Sequence, residues 1–233
     1  VNAIVVNPFL TPAAPVSGTV QASVGSVTVA GLTPTVGASA SSYVSVRTAA
    51  DNDVAQFDHG TNAFNRGWDT MFPLEISASQ YGCHVRWQLN VPQGATITSV
   101  TVSFYEAQLN GEYSSGDALE TVGFAASDNL AQLASSTDYL TAYNSMPTTT
   151  TMSMSVVTGG DAYDTRAQNT LVAAWSLPVA VLQHVVSRAG WSSGNYVGFF
   201  MRTSGSDAYI AQWQAHATRS ASYTPMLEVE YTT

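Results

Sequence analysis

Residues Asn90–Tyr105 read NVPQGATITSVTVSFY, and this stretch decides the fold. Leading into it, Cys83, Val85, Trp87 and Leu89 alternate with His84, Arg86 and Gln88. A period of two places one row of apolar side chains on one face of a β-sheet. The chain then turns through Pro92-Gln93-Gly94-Ala95 and leaves on Ile97, Val100, Val102 and Phe104 as a second strand. Pro92 has no N–H to contribute to a ladder, and Gly94 tolerates a positive φ, so both suit a corner. No catalytic residue type stands at that corner, so function has to be sought in the segments around it.

Working outward, composition narrows the classes. Hydrophobic residues make up 45% of the 233 and charged ones only 10%, which permits a sizeable core and argues against disorder of the whole chain. The basic residues are all arginine and the net charge is −9, so no nucleic acid or anionic membrane is expected as partner. Cys83 is the single cysteine, which excludes an intrachain disulfide; on the apolar row it reads as a buried structural thiol. No apolar run approaches the ~20 residues needed to span a bilayer, so no membrane insertion is expected. VNAIVVNPFL has neither a cationic region nor a long apolar one, so no intact secretory signal is read there.

Residues 1–41 differ from the rest. They carry no charge and are built mostly from Val, Ala, Thr, Ser, Gly and Pro. Two alternating pieces, Thr19–Val24 and Ser26–Val29, lie between Gly18, Gly25 and Gly31. Such a composition suits an extended arm that adds strands to a neighbouring surface, with Phe9, Leu10, Val20, Val24, Val27, Val29 and Leu32 as partner-binding residues. A flexible tether is the competing reading. Residues 42–233 form the folded domain.

Within that domain, Asp51, Asp53 and Asp58 are close enough in sequence to consider for a hard cation, but the EF-hand spacing is absent and Asp is an ordinary turn residue; no metal is expected. Residues 58–82 read as a long loop in which Phe64, Trp68, Met71, Phe72 and Tyr81 are interleaved with Asn62, Asn65, Arg66 and Asp69. Aromatic faces beside amide and charged groups suit a sugar surface, so Trp68, Phe64, Asn65 and Arg66, with Trp213, are candidate glycan-binding residues. The alternative is that these aromatics pin the loop to the sandwich edge. Asp128 is expected to cap a short helical turn over Leu130 and Leu133. Leu171, Ala173 and Trp175 read as one face of a strand from Thr165 to Trp175. One true helix is signalled by Val181, Leu182 and Val185, with Ser176 near its cap, Pro178 near its first turn and Gly190 as its stop. Further strands are read at Tyr196–Arg202, Tyr209–Trp213 and Met226–Tyr231, the last with Glu228 and Glu230 facing out. Many short strands and one short helix indicate an all-β protein, an antiparallel β-sandwich of jelly-roll type with an extended N-terminal arm.

Four pieces taken together resemble a known β-sandwich module: VRWQLNVPQGATITSVTVSF, TRAQNTLVAAW, LQHVVSRAGWSSGNYVGFFM and YTPMLEVEY. Modules of this kind occur in virion proteins of tailed phages and in bacterial surface and secreted proteins, and are related to carbohydrate-binding modules. The resemblance covers residues 43–231; Trp87, Ile97, Trp175, Trp191 and Leu227 match core positions, and Gly94 and Gly194-Asn195 match turns. Val91 stands where Ile is usual, and Val100 where a small residue is usual. The resemblance implies a jelly roll in a binding or structural role.

Motifs for nucleophilic, metallo- or nucleotide chemistry are absent, and His59, His84, His184 and His216 lack zinc-like spacing. Asp117 with Glu120, or Asp161 with Asp164, are the carboxylate pairs to consider for glycoside cleavage; acidic turn residues are the simpler reading. The expectation is a non-enzymatic virion structural protein without a cofactor, displayed outward as a capsid decoration, head-fibre or tail-associated domain. Its expected partners are other virion proteins, met through the arm, and its own copies, as a trimer. The alternative is a carbohydrate-binding or adhesion module of a secreted protein, meeting a cell-surface glycan.

Overall fold

The computed structural model describes residues 41–66, 70–71, 75–76, 79–105, 118–154, 171–204, 213–214 and 222–233. The strands are β1 (Ser42–Arg47), β2 (Val54–Asp58), β3 (Ala63–Arg66), β4 (Thr70–Met71), β5 (Glu75–Ile76), β6 (Ser79–Gln88) and β7 (Thr96–Tyr105). They continue with β8 (Ala118–Phe124), β9 (Thr149–Met154), β10 (Leu171–Ser176), β11 (Tyr196–Ser204), β12 (Trp213–Gln214) and β13 (Met226–Thr232). Helix α1 (Ser136–Asn144) precedes β9, and α2 (Ala180–Val186) precedes β11. One sheet has the order β1-β13-β7-β10; the other runs β3-β2-β6-β11-β8-β9, with β5 folded back on the start of β6. β4 pairs with β12, and all the pairings are antiparallel.

The two large sheets pack as a sandwich. The alternation read around the corner fills its interior: Val85 and Trp87 come from β6, Val100, Val102 and Phe104 from β7, and Leu227 and Val229 from β13. Phe199 of β11 bridges the layers, its ring centroid 6.4 Å from Phe104 and 5.4 Å from Phe124. Each such side chain removed from water contributes about 1.5–3 kcal/mol before its entropy cost. The buried indoles also spend their donors, Trp87 Nε1 on the Pro225 carbonyl at 3.0 Å and Trp191 Nε1 on the Val91 carbonyl at 2.9 Å.

At the corner, Gly94 has φ +73°, the conformation for which glycine is suited. Its amide donates to the Val186 carbonyl of α2 at 2.9 Å. Gln183 extends the ladder where β7 begins: its Oε1 accepts from the Ile97 amide at 2.8 Å, and its Nε2 donates to the Ala95 carbonyl at 2.9 Å. A side-chain amide thus stands in for a neighbouring strand.

The opposite face of β2, β6 and β11 is covered as well. Phe57, Phe200, Leu130, Leu133, Tyr139 and Ala142 form a second apolar cluster, in which α1 and the 125–135 segment lie on the sheet. The polar row His84 and Arg86 is therefore buried, not solvated. Close approach there requires Gly198: a Cβ at this position would strike Leu130 Cδ2 and lie 2.9 Å from His84 Cε1.

Several expectations are corrected. Among the described residues there are two α-helices rather than one. Asp128 does not start a helix: its carboxylate pairs with Arg188, and the Leu130 amide donates to the Tyr196 carbonyl at 2.9 Å, so the segment's backbone is already bound to β11. The helix begins seven residues later, where Ser135 Oγ accepts from the Asp138 amide and Asp138 Oδ2 accepts from the Ala134 amide. Ser176 ends β10, and Val179 occupies the cap position of α2 without a side-chain bond. The 58–82 segment is not one loop; it contains β3, β4, β5 and the start of β6. A register shift between Leu171 and Ala173 breaks the face read there, leaving Leu171 exposed while Trp175 is buried.

Candidate functional site

The outer face of the four-stranded sheet carries the arrangement with the most ligand-like chemistry. β1 and β13 are the first and last strands among the described residues, and the ladder sets Tyr43 opposite Glu230 and Ser45 opposite Glu228. On the far side of β13, Glu230 is opposite Ser99 and Glu228 opposite Thr101. Val44 and Val46 turn to the core and the residues between them turn out, so a polar surface is built by the same alternation that fills the interior. Tyr43, Ser99, Thr101, Glu228 and Glu230 line a shallow hollow of about 190 Å³.

Tyr43 is 58% exposed, and its hydroxyl donates to the Glu228 carboxylate. That bond raises the phenol above its ordinary range, with slight burial and the charges of Glu228 and Glu230 acting in the same direction and a weaker contact with Ser45 opposing. Among the described residues neither Glu228 nor Glu230 is in an ion pair. Arg47, the arginine on this face, is engaged further along: it donates to the Thr224 carbonyl at 2.6 Å and to Tyr105 Oη at 3.2 Å. The hollow therefore offers hydroxyl donors, carboxylate acceptors and an aromatic ring, at negative potential.

Of the residues marked by sequence for glycan contact, Phe64 is partly buried against the second cluster, and Arg66 donates to the Leu133 carbonyl at 3.1 Å. Both help hold the 125–135 segment. Asn65 is on β3 opposite Gln56. Trp213 opens β12 and is paired with Met71 of β4, so the backbone brings two distant segments together. Trp68 lies outside the described residues. So do the arm residues Phe9, Leu10, Val20, Val24, Val27, Val29 and Leu32, and Asp117, Asp161 and Asp164; Glu120 is on β8.

The carboxylates weighed for a cation are otherwise engaged. Asp53 Oδ1 accepts from Arg86 Nε at 2.8 Å and from Gln132 Nε2 at 3.2 Å, and Oδ2 from the Ala50 amide at 3.1 Å. Asp58 closes a turn by accepting from the Gly60 and Thr61 amides and from Thr61 Oγ1. Burial opposes its ionisation, but those hydrogen bonds outweigh it and lower its pKa. Among the described residues no group of three His, Cys, Asp or Glu side chains converges for a metal ion.

His84, which is buried, and His59, which is partly buried, are structural in setting. His84 Nδ1 is 3.2 Å from the Phe199 carbonyl and its ring is 4.5 Å from Phe200; burial holds its pKa down at about 3. His59 stacks edge-on against Phe57 at 4.7 Å and is held at about 4, chiefly by burial. Both are neutral near pH 7. Arg86 lies 3.8 Å over the Tyr196 ring as well as pairing with Asp53, and its Nη1 donates to the Leu130 carbonyl at 3.2 Å.

Sequence reading did not single out Tyr43, Ser99 or Thr101, and marked Glu228 and Glu230 only as outward-facing. The missing signal was that β1 and β13 are neighbours. Comparison with known proteins gives no matching family model and no matching curated protein.

Proposed function

We propose that this protein is a non-enzymatic structural component of a tailed-phage particle, its sandwich displayed outward as a capsid decoration, head-fibre or tail-associated domain. Residues 1–41 anchor it to other virion proteins, and the displayed unit is a homo-oligomer, taken as a trimer. The observation that carries this reading is the strand order. With β1, β6, β7, β8, β9, β10, β11 and β13 numbered one to eight, the sheets run 1-8-3-6 and 2-7-4-5, and β2 and β3 extend the second sheet beyond strand two. That order supports a jelly roll, an architecture used in viral capsids and lectins. It also makes β1, which starts at Ser42, an edge strand of the four-stranded sheet. The resemblance of the corner and the terminal strand to phage modules points the same way.

The test is incorporation. Full-length protein is expected in purified particles, and protein lacking residues 1–41 is expected to melt like the parent sandwich yet stay out of the particle. Recovery of the full-length chain only as a free monomer, or equal incorporation of the truncated one, refutes the reading.

A second reading, a carbohydrate-binding or adhesion module, is supported by the β4–β12 ladder, which pairs Trp213 with Met71. It predicts glycan retention that is lost in Trp213→Ala.

A further inference from the structure

We propose that the hollow on the outer face of the four-stranded sheet is a binding site for a neutral saccharide. Its two rungs are Tyr43–Glu230–Ser99 and Ser45–Glu228–Thr101. Rungs two residues apart on one face are about 7 Å from each other, and adjacent strands about 4.8 Å apart, so the frame matches one pyranose ring. Sugar hydroxyls both donate and accept; here the carboxylates of Glu228 and Glu230 accept, while Ser99 and Thr101 do either. Tyr43 supplies the apolar face against which a ring's C–H edge stacks, and its hydrogen bond to Glu228 fixes the ring beside the hollow.

Charge selects among ligands. Two carboxylates outside any ion pair among the described residues repel phosphorylated or carboxylated sugars. For a cation the hollow supplies only two carboxylates, and among the described residues no third His, Cys, Asp or Glu converges with them. The volume of about 190 Å³ holds one sugar unit, so a longer glycan is gripped by a single residue and binds weakly unless displayed in several copies. This inference rests on the sheet face and is independent of the particle reading.

The experiment applies the full-length protein to an array of neutral hexose and N-acetylhexosamine oligosaccharides, with sialylated glycans and an arginine octapeptide as further arms. Any retained neutral glycan is then titrated into Tyr43→Ala, Glu230→Gln and Trp213→Ala, each checked for an unchanged melting temperature. Expected is retention of a neutral glycan with affinity falling roughly tenfold or more in Tyr43→Ala and Glu230→Gln, and unchanged in Trp213→Ala. Three results overturn it: no neutral glycan retained, retention of the peptide or sialylated glycans only, or loss confined to Trp213→Ala. The last leaves the carbohydrate reading intact while removing this site from it.

Discussion

Acidification should weaken the fold through His84, and the size of the effect follows from its surroundings. Burial holds the imidazole at about 3, the Phe199 carbonyl opposes this by accepting from Nδ1, and the Arg86 charge adds to it. In the unfolded chain the same group titrates near its ordinary ~6.5. Between those values the unfolded chain binds a proton that the folded chain refuses, so stability falls as pH falls. The contribution is whole above about 6.5 and is lost progressively towards about 3. Moving from pH 7 to pH 5 should cost about 2 kcal/mol from His84 alone. His59, also lowered by burial and by Arg202, acts with the same sign, less strongly because it is only partly buried. Urea unfolding followed by tryptophan fluorescence at pH 7 and pH 5 measures the loss. His84→Gln keeps a donor for the Phe199 carbonyl and removes the titration, so its pH-induced loss should be smaller than that of the wild type by about that amount. Equal losses in the two proteins would refute the reasoning, because His84 would then titrate alike folded and unfolded.

Three further outcomes are expected. Arg86→Met leaves Asp53 buried and unpaired and should cost about 3–5 kcal/mol in chemical denaturation, most of it recovered in Arg86→Met/Asp53→Leu. Gln183→Ala removes the fork on Ile97 and Ala95; the loss should be about 1–3 kcal/mol, with the amide of Ile97 gaining hydrogen exchange. Gly198→Ala pushes on Leu130 and His84 and should lower stability by about 1–3 kcal/mol, seen as a lower melting temperature, whereas alanine at an exposed strand position such as Ser45 should change little.

The alternation of Cys83, Val85, Trp87 and Leu89, and of the residues after Pro92-Gly94, was enough to locate two long strands and their inward faces. That works because side-chain direction in a strand is local: period two is imposed by the backbone itself. The Val181-Leu182-Val185 helix was legible for the same reason, with its period of 3.6. Which strands are neighbours was not local. Glu228 and Glu230 could be read as outward-facing, but only the β1–β13 ladder, joining residues nearly a whole chain apart, places them beside Tyr43. The covered second face was equally hidden. Alternation says that His84 and Arg86 oppose the apolar row; it cannot say that their side is dry. Burial there is decided by Leu130, Leu133, Tyr139 and Ala142, whose spacing shows no single period because half of them precede α1. Sequence by itself determined a sandwich of antiparallel strands turning at Pro92-Gly94. Only the tertiary structure decided that one outer face is sealed by a helix while the other, among the described residues, presents hydroxyls, carboxylates and Tyr43, since face coverage depends on contacts between segments that no local pattern encodes.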